Sequence, residues 1–248
     1  MSSLKNKDNN SFKELFKTLM VAGTIAIIFR SIFFEPFNIP SGSMIPTLLV
    51  GDYLFVSKYS YGYSKYSFPF GIVPIEQRVL DNSPKRGDVI VFRKPGDESI
   101  DYIKRLVALP NDTIQVKKGI LFVNGKMAKR IKTNIRIMKT IFGEEKIFTQ
   151  YKEKFEGSNE HYIIEASDTD PFDDTIEFKV PNDNFFFMGD NRDNSRDSRT
   201  PEVGFVPKIN LIGKAEIIFF SHNSTASFFE FWKWHKAIRF NRLGKAIE

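Results

Sequence analysis

Pro40-Ser41-Gly42-Ser43-Met44-Ile45-Pro46 sets two serines on a turn framed by glycine and prolines. A hydroxyl exposed on such a turn can attack a carbonyl, provided that a base takes its proton. Two kinds of base are available. His222, within Phe219-Phe220-Ser221-His222-Asn223, is the imidazole choice, and Lys104, within Tyr102-Ile103-Lys104-Arg105-Leu106-Val107-Ala108-Leu109, is the amine choice. Strand alternation sets Lys104 on the face opposite Ile103 and Arg105, where burial would disfavour its ammonium form and bring a pKa of about 10.4 toward neutrality. Each residue alone also fits a plainer role, since any turn uses Ser, Gly and Pro and a strand lysine is ordinarily solvated.

Gly189 to Arg199 (Gly-Asp-Asn-Arg-Asp-Asn-Ser-Arg-Asp-Ser-Arg) is the densest polar run in the chain. As a calcium loop it lacks the sixth-position glycine and the twelfth-position glutamate, and its arginines offset Asp190, Asp193 and Asp197. Its hydroxyls and Arg-Asp pairs instead suit a hydrogen-bonded scaffold able to orient a neutral lysine. With no cysteine, a thiolate nucleophile, disulfides and sulfur-ligated zinc are excluded, and His161, His222 and His235 lack metal-site spacing. The chemistry is expected to run without metal or cofactor.

The elements that must position these groups follow from the hydrophobic pattern. Of 248 residues, 42% are apolar and 27% charged, a globular balance, and the net charge of +6 would suit nucleic acid, an anionic membrane or simple solubility. Lys5, Lys7, Lys13 and Lys17 precede an uncharged run, Thr18 to Phe29, and Leu15 to Phe34 supplies the 20 or so residues of a membrane helix if Lys17 and Arg30 snorkel. The lysines before it predict a cytoplasmic segment 1–14 and an extracytoplasmic remainder. No small-residue cleavage site follows Phe34. Beyond it, short β-branched and aromatic runs predict strands at Tyr53–Val56, Asp88–Phe92, Ile114–Val116, Phe185–Met188 and Ala215–Phe219, and Asn124-Gly125 predicts a hairpin turn. The lysine-rich region 117–180, with alternation from Thr133 to Ile141, reads as an inserted β subdomain. Residues 224–248 mix aromatic and basic side chains over Phe228 to Phe240, which suits either a membrane interface or a closing helix.

Taken together, Phe34-Glu35-Pro36-Phe37-Asn38-Ile39-Pro40-Ser41-Gly42-Ser43-Met44, Arg86-Gly87-Asp88-Val89-Ile90-Val91-Phe92, Asp101-Tyr102-Ile103-Lys104-Arg105 and Gly189 to Arg199 resemble, in order, the motifs of type I signal peptidase, a membrane-bound serine protease with a serine/lysine dyad. The resemblance implies a mainly antiparallel β catalytic domain with an inserted β subdomain after one transmembrane helix. It implies Ser43 as nucleophile and Lys104 as general base, with Ser41 and the Ser43 N–H forming the oxyanion hole. Ser195 would orient the lysine, supported by Asp197 and Arg199. Shallow pockets for small substrate residues would be walled by Phe37, Ile39, Met44, Leu48, Leu54, Val91, Tyr102 and Ile103. The implied partners are signal peptides of exported preproteins and the lipid bilayer, with the export machinery a further candidate and no nucleic acid.

The chain departs from the family pattern in three ways: it has one apolar segment where many Gram-negative relatives have two, it has no cysteine for a disulfide in the inserted domain, and 117–180 matches no motif. Two rival readings are a membrane-anchored β binding or assembly module with incidental Ser43 and Lys104, and a dyad peptidase dedicated to a few precursors.

Overall fold

A computed structural model describes residues 2–68, 75–139, 145–226 and 229–248. Ile141 and Phe228, parts of two runs singled out above, lie outside them. The chain opens with α1 (Ser2–Ile32), whose 21-residue stretch Phe12–Ile32 has a mean hydropathy of 1.7 and is almost wholly unburied. At 1.5 Å per residue that stretch is about 30 Å long, the thickness of a bilayer's hydrocarbon. The helix stops at Ile32, short of Phe34, because Pro36 disfavours helical geometry at Glu35 and Phe34 already pairs with Ser57 as a strand.

β1 (Phe34–Asn38) and β2 (Asp52–Ser57) are antiparallel, with Phe37 opposite Leu54. β3 (Val89–Lys94) and β4 (Asp97–Ala108) form a hairpin that sets Ile90 opposite Lys104 and Val91 opposite Ile103. Val89 to Phe92 is apolar at every position because both faces of β3 are covered. After β4 come β5 (Thr113–Lys117), β6 (Ile120–Val123) and β7 (Lys126–Met127), then the long hairpin of β8 (Lys129–Lys139) and β9 (Glu145–Lys154), and β10 (His161–Glu165). Asn124 and Gly125 take φ of 51° and 74°, the paired positive values that a two-residue hairpin requires. β11 (Phe178–Lys179), β12 (Asn184–Met188), β13 (Val206–Pro207) and β14 (Leu211–Ser221) follow. The last 15 residues hold a four-residue helix, α2 (Trp234–Ala237), a 3-10 turn at Phe240–Arg242 and β15 (Lys245–Ala246), so no long closing helix forms.

The main sheet runs β1-β2-β14-β3-β4-β12-β13, with β15 added to β14, and every pairing is antiparallel. Between β4 and β12 the chain makes a sheet of order β11-β5-β6-β7 and a second of order β10-β9-β8. The fold is therefore mainly β behind an N-terminal apolar helix, as the sequence pattern predicts, and antiparallel, as the family resemblance implies.

The serine turn rests on an apolar cluster of Ile39, Met44, Leu48, Leu54, Val91 and Ile247. Beside it, fully buried Asp52 closes the turn by accepting hydrogen bonds from Leu49 N at 2.7 Å, Ser221 Oγ at 2.7 Å and Arg242 Nε at 2.9 Å. A buried carboxylate with these partners is costly to remove, because Arg242 would keep its charge without an acceptor. Asp52→Ala is expected to lower unfolding free energy by about 3–5 kcal/mol, read from the midpoint and slope of urea unfolding.

Candidate active site

β4 carries Lys104 into the interior beside the serine turn, where its Nζ lies 2.8 Å from Ser43 Oγ and 3.0 Å from the Ile103 carbonyl oxygen. Lys104 is 5% exposed and Ser43 8%. Burial lowers the Lys104 pKa to about 8, against the opposing pull of Asp197 and Asp190. A lysine in that range offers a free amine near neutral pH, and the free amine is an acceptor for the Ser43 hydroxyl proton. The Tyr102 ring centroid lies 5.1 Å from Nζ and screens it further from water.

Two features fix the serine turn. Asn191 donates from its backbone N to the Ser43 carbonyl and from Nδ2 to the Gly42 carbonyl, both at 3.0 Å. Gly189 lies close behind: a Cβ there would stand 2.2 Å from Ser195 Oγ and 2.5 Å from the Ser43 oxygen, so only glycine fits. Ser41 Oγ lies 3.4 Å from Ser43 Oγ, on the same turn.

The loop from Gly189 to Arg199 is a lattice of paired charges. Arg105, itself fully buried, grips Asp190 with Nε and Nη2, each at 2.8 Å. Arg199 holds Asp197 at 2.9 Å from both Nε and Nη2, and Gly189 N donates to the same carboxylate at 3.0 Å. Burial opposes ionisation of Asp197, yet Arg199 and these hydrogen bonds keep its pKa below the usual carboxylate range. The second inserted sheet braces the loop: Ile164 N of β10 donates to the Asp190 carbonyl at 2.9 Å, and Arg192 forms a buried two-pronged pair with Glu153 of β9. His161 stands on the far side of Glu153, its Nε2 at 3.3 Å.

A cleft of about 560 Å³ opens at Ser43 and Lys104, and of the wall positions carried over from the family, Phe37, Ile39, Val91, Tyr102 and Ile103 line it. Met44, Leu48 and Leu54 do not: each has zero exposure and packs behind the walls. Leu54, directly opposite Phe37, shares its sheet face but sits on the inner strand β2, between β1 and β14, while Met44 and Leu48 pack into the same apolar cluster beneath the serine turn. Asn38, Ile100, Asp101, Asn194 and Arg196 also line the cleft, although sequence reading passes them over. Ser195 is buried, and among the described residues no hydrogen bond joins its Oγ to Lys104. His222 lies elsewhere, lining an apolar cavity with Tyr53, Phe220 and Trp234, and it makes no hydrogen bond to Ser43 among the described residues. Among those residues no three His, Asp or Glu side chains gather to hold a metal ion.

The family model described as signal peptidase, peptidase S26 matches residues 12–220. The chain belongs to this family. Its relatives include a protein of Rickettsia typhi (strain ATCC VR-144 / Wilmington) named Signal peptidase I, 39% identical over 234 residues that cover 91% of this chain and 86% of the relative. The protein of the same name from Rickettsia canadensis (strain McKiel) is 36% identical over 256 residues, covering 96% and 95%. A solved signal peptidase I from Enterococcus faecalis V583 aligns with 23% identity and a TM-score of 0.31, over 54% of this chain and 97% of that one. As a peptidase S26 member the chain is a serine endopeptidase, and the matched stretch runs from Phe12 in α1 to Phe220 in β14, spanning the whole cleft.

The depressed Lys104 pKa carries a stability consequence. At pH values below about 8 the folded state must bury an ammonium that the unfolded chain keeps in water, so this group destabilises the fold. The burden lifts as pH rises through the window from about 8 to the ordinary lysine value, where the folded chain has already lost the proton that the unfolded one still binds. Lys104→Met is expected to raise stability at pH 6 by roughly 3 kcal/mol and to leave it nearly unchanged at pH 11, as read by urea unfolding at the two pH values.

Proposed function

We propose that this chain is a membrane-anchored peptidase that removes N-terminal signal peptides from exported preproteins, with Ser43 and Lys104 as a catalytic dyad. The observation that carries the reading is the 2.8 Å approach of Lys104 Nζ to Ser43 Oγ at the end of an apolar cleft. In the first step the free amine takes the Ser43 proton while Oγ bonds to the scissile carbonyl carbon. The oxyanion is received by the Ser43 N–H and the Ser41 hydroxyl. The Lys104 ammonium then protonates the leaving amine, which frees the mature protein and leaves an acyl-serine. Lys104, neutral again, deprotonates a water that releases the signal peptide. Phe37, Ile39, Val91, Tyr102 and Ile103 would admit small side chains next to the cut.

The anchor reading is supported by the exposed apolar surface of α1. Aromatic rings continue from it across the sheet, Phe29 to Phe34, Phe34 to Phe55 and Phe55 to Phe219 at centroid spacings of 6.2, 6.1 and 4.3 Å. Phe231 and Trp232 lie exposed near Lys233 and Lys236, a mixture that suits an interface with anionic lipid. The lysines before the uncharged run of α1 favour a cytoplasmic N-terminus, with residues after the helix on the extracytoplasmic side beside the export machinery.

Acylation should rise tenfold per pH unit below about 8 and level off above it, because only the free amine of Lys104 can act. Single-turnover cleavage of a preprotein across pH 6 to 10 checks this, with Ser43→Ala and Lys104→Ala as references that lose nearly all activity. A flat profile with chemistry rate-limiting, or substantial activity in the lysine variant, removes the dyad. In a separate comparison, changing the substrate's Ala before the scissile bond to Phe should slow cleavage by about 100-fold or more, since the walls reject by overlap. Equal rates for the two substrates would contradict the pocket.

A further inference from the structure

Where α1 meets the catalytic sheet, one carboxylate is gripped from both sides. Arg30, in the last turn of α1, donates to Glu35 Oε1 from Nε at 3.0 Å and also from Nη2, while Lys58 Nζ stands 2.8 Å from Glu35 Oε2. Lys58, just past β2, is nearly sealed from water and also donates to the Ser67 carbonyl at 2.6 Å. Burial lowers its pKa, and Glu35 works against that fall. Arg30 is different in kind, with 58% of its side chain exposed. Alone near the end of a membrane helix it would reach for lipid headgroups. Here it turns back onto the sheet.

The covalent link between helix and sheet is short, since α1 ends at Ile32 and β1 begins at Phe34. A single connecting residue leaves the angle between the two elements open unless other contacts set it. Tyr63 Oη donates to the Ile32 carbonyl at 2.9 Å and Lys58 N to the Phe33 carbonyl at 3.0 Å, which hold the end of the helix in place without fixing its direction. The Arg30–Glu35 pair reaches two residues further back into the helix and adds a further attachment, made through a side chain. At a membrane boundary, where the effective dielectric is below that of water, such a pair is stronger than its exposure alone suggests. Glu35 shares its strand face with Phe37, two residues on, which lines the cleft.

We infer that Glu35 is a positioning residue: acting through Arg30, it fixes the angle of α1 against the catalytic sheet and so the height at which Ser43 stands over the bilayer. The inference rests on the reading of α1 as a membrane anchor. It matters for a substrate embedded in the same membrane, whose cleavage site must meet Ser43 at a set distance, and not for a peptide free in water.

Arg30→Gln is the clean test, because it breaks the clasp while leaving Lys58 its counter-ion, whereas Glu35→Gln strips both. The chain lacks cysteine, so spin labels placed through Ile25→Cys in α1 and Ala246→Cys on β15 of the main sheet, both exposed positions, report the helix-to-sheet distance in the full chain in liposomes. The expected result is a narrow distance distribution in the parent and about a twofold broader one with Arg30→Gln. In the same liposomes kcat/KM for an embedded preprotein should fall about tenfold, while that for a soluble peptide spanning the same cleavage site stays within about twofold. Arg30→Lys, which keeps the charge, should recover part of both. An unchanged distance distribution, or equal loss on the two substrates, overturns the inference. The distance readout needs no catalysis, so it distinguishes failure of the clasp from failure of the peptidase reading.

Discussion

The structure turns on one costly act, the removal of a lysine amine from water beside a serine hydroxyl. Burial alone would neutralise Lys104, but Asp190 and Asp197 stand near enough to favour its ammonium form. Both carboxylates are already matched, Asp190 by Arg105 and Asp197 by Arg199. Each pair sums to zero, so their fields on Lys104 are blunted and desolvation wins, leaving a pKa of about 8 rather than a permanently charged lysine. The loop's alternating arginines and aspartates thus do electrostatic work on a group to which they make no direct hydrogen bond.

That loop in turn depends on the sheet made by β8, β9 and β10. Arg192 is fully buried and pairs with Glu153 of β9, while the Asp190 carbonyl is held by β10. The segment between β4 and β12 therefore buttresses the loop, and Ile135, Ile137 and Ile147 lie exposed on it and do not line the cleft.

Much of this was readable in advance where local chemistry decides it. β3 announces itself as four consecutive apolar residues, and Asn124-Gly125 states its turn because few other pairs tolerate two positive φ values. Ser43, Lys104, Asp197 and Arg199 come together in space as their motifs imply. What depends on pairing partners distant in sequence was not readable. Leu54 sits directly opposite Phe37, yet only Phe37 reaches the cleft, because β1 is the edge strand while β2 is flanked by β14 and covered by the apolar cluster, an order of strands that neither segment spells out. Arg192 and Glu153 lie 39 residues apart, and neither segment hints at the other. Arg30 reads as a snorkelling cation because its acceptor, Glu35, belongs to a strand whose direction only the folded sheet defines.

The order of strands has a temporal meaning. β2 and β3 are consecutive in the main sheet's portion of the chain, yet they do not pair, because β14 lies between them and pairs with both. A nascent chain that has been synthesised only as far as Lys104 possesses its serine and its amine but lacks the strand that joins their halves of the sheet and the loop that braces them. Contacts of such long sequence separation form late. Closure of the sheet around Ser43 and Lys104 therefore waits on β14, a strand drawn from late in the chain.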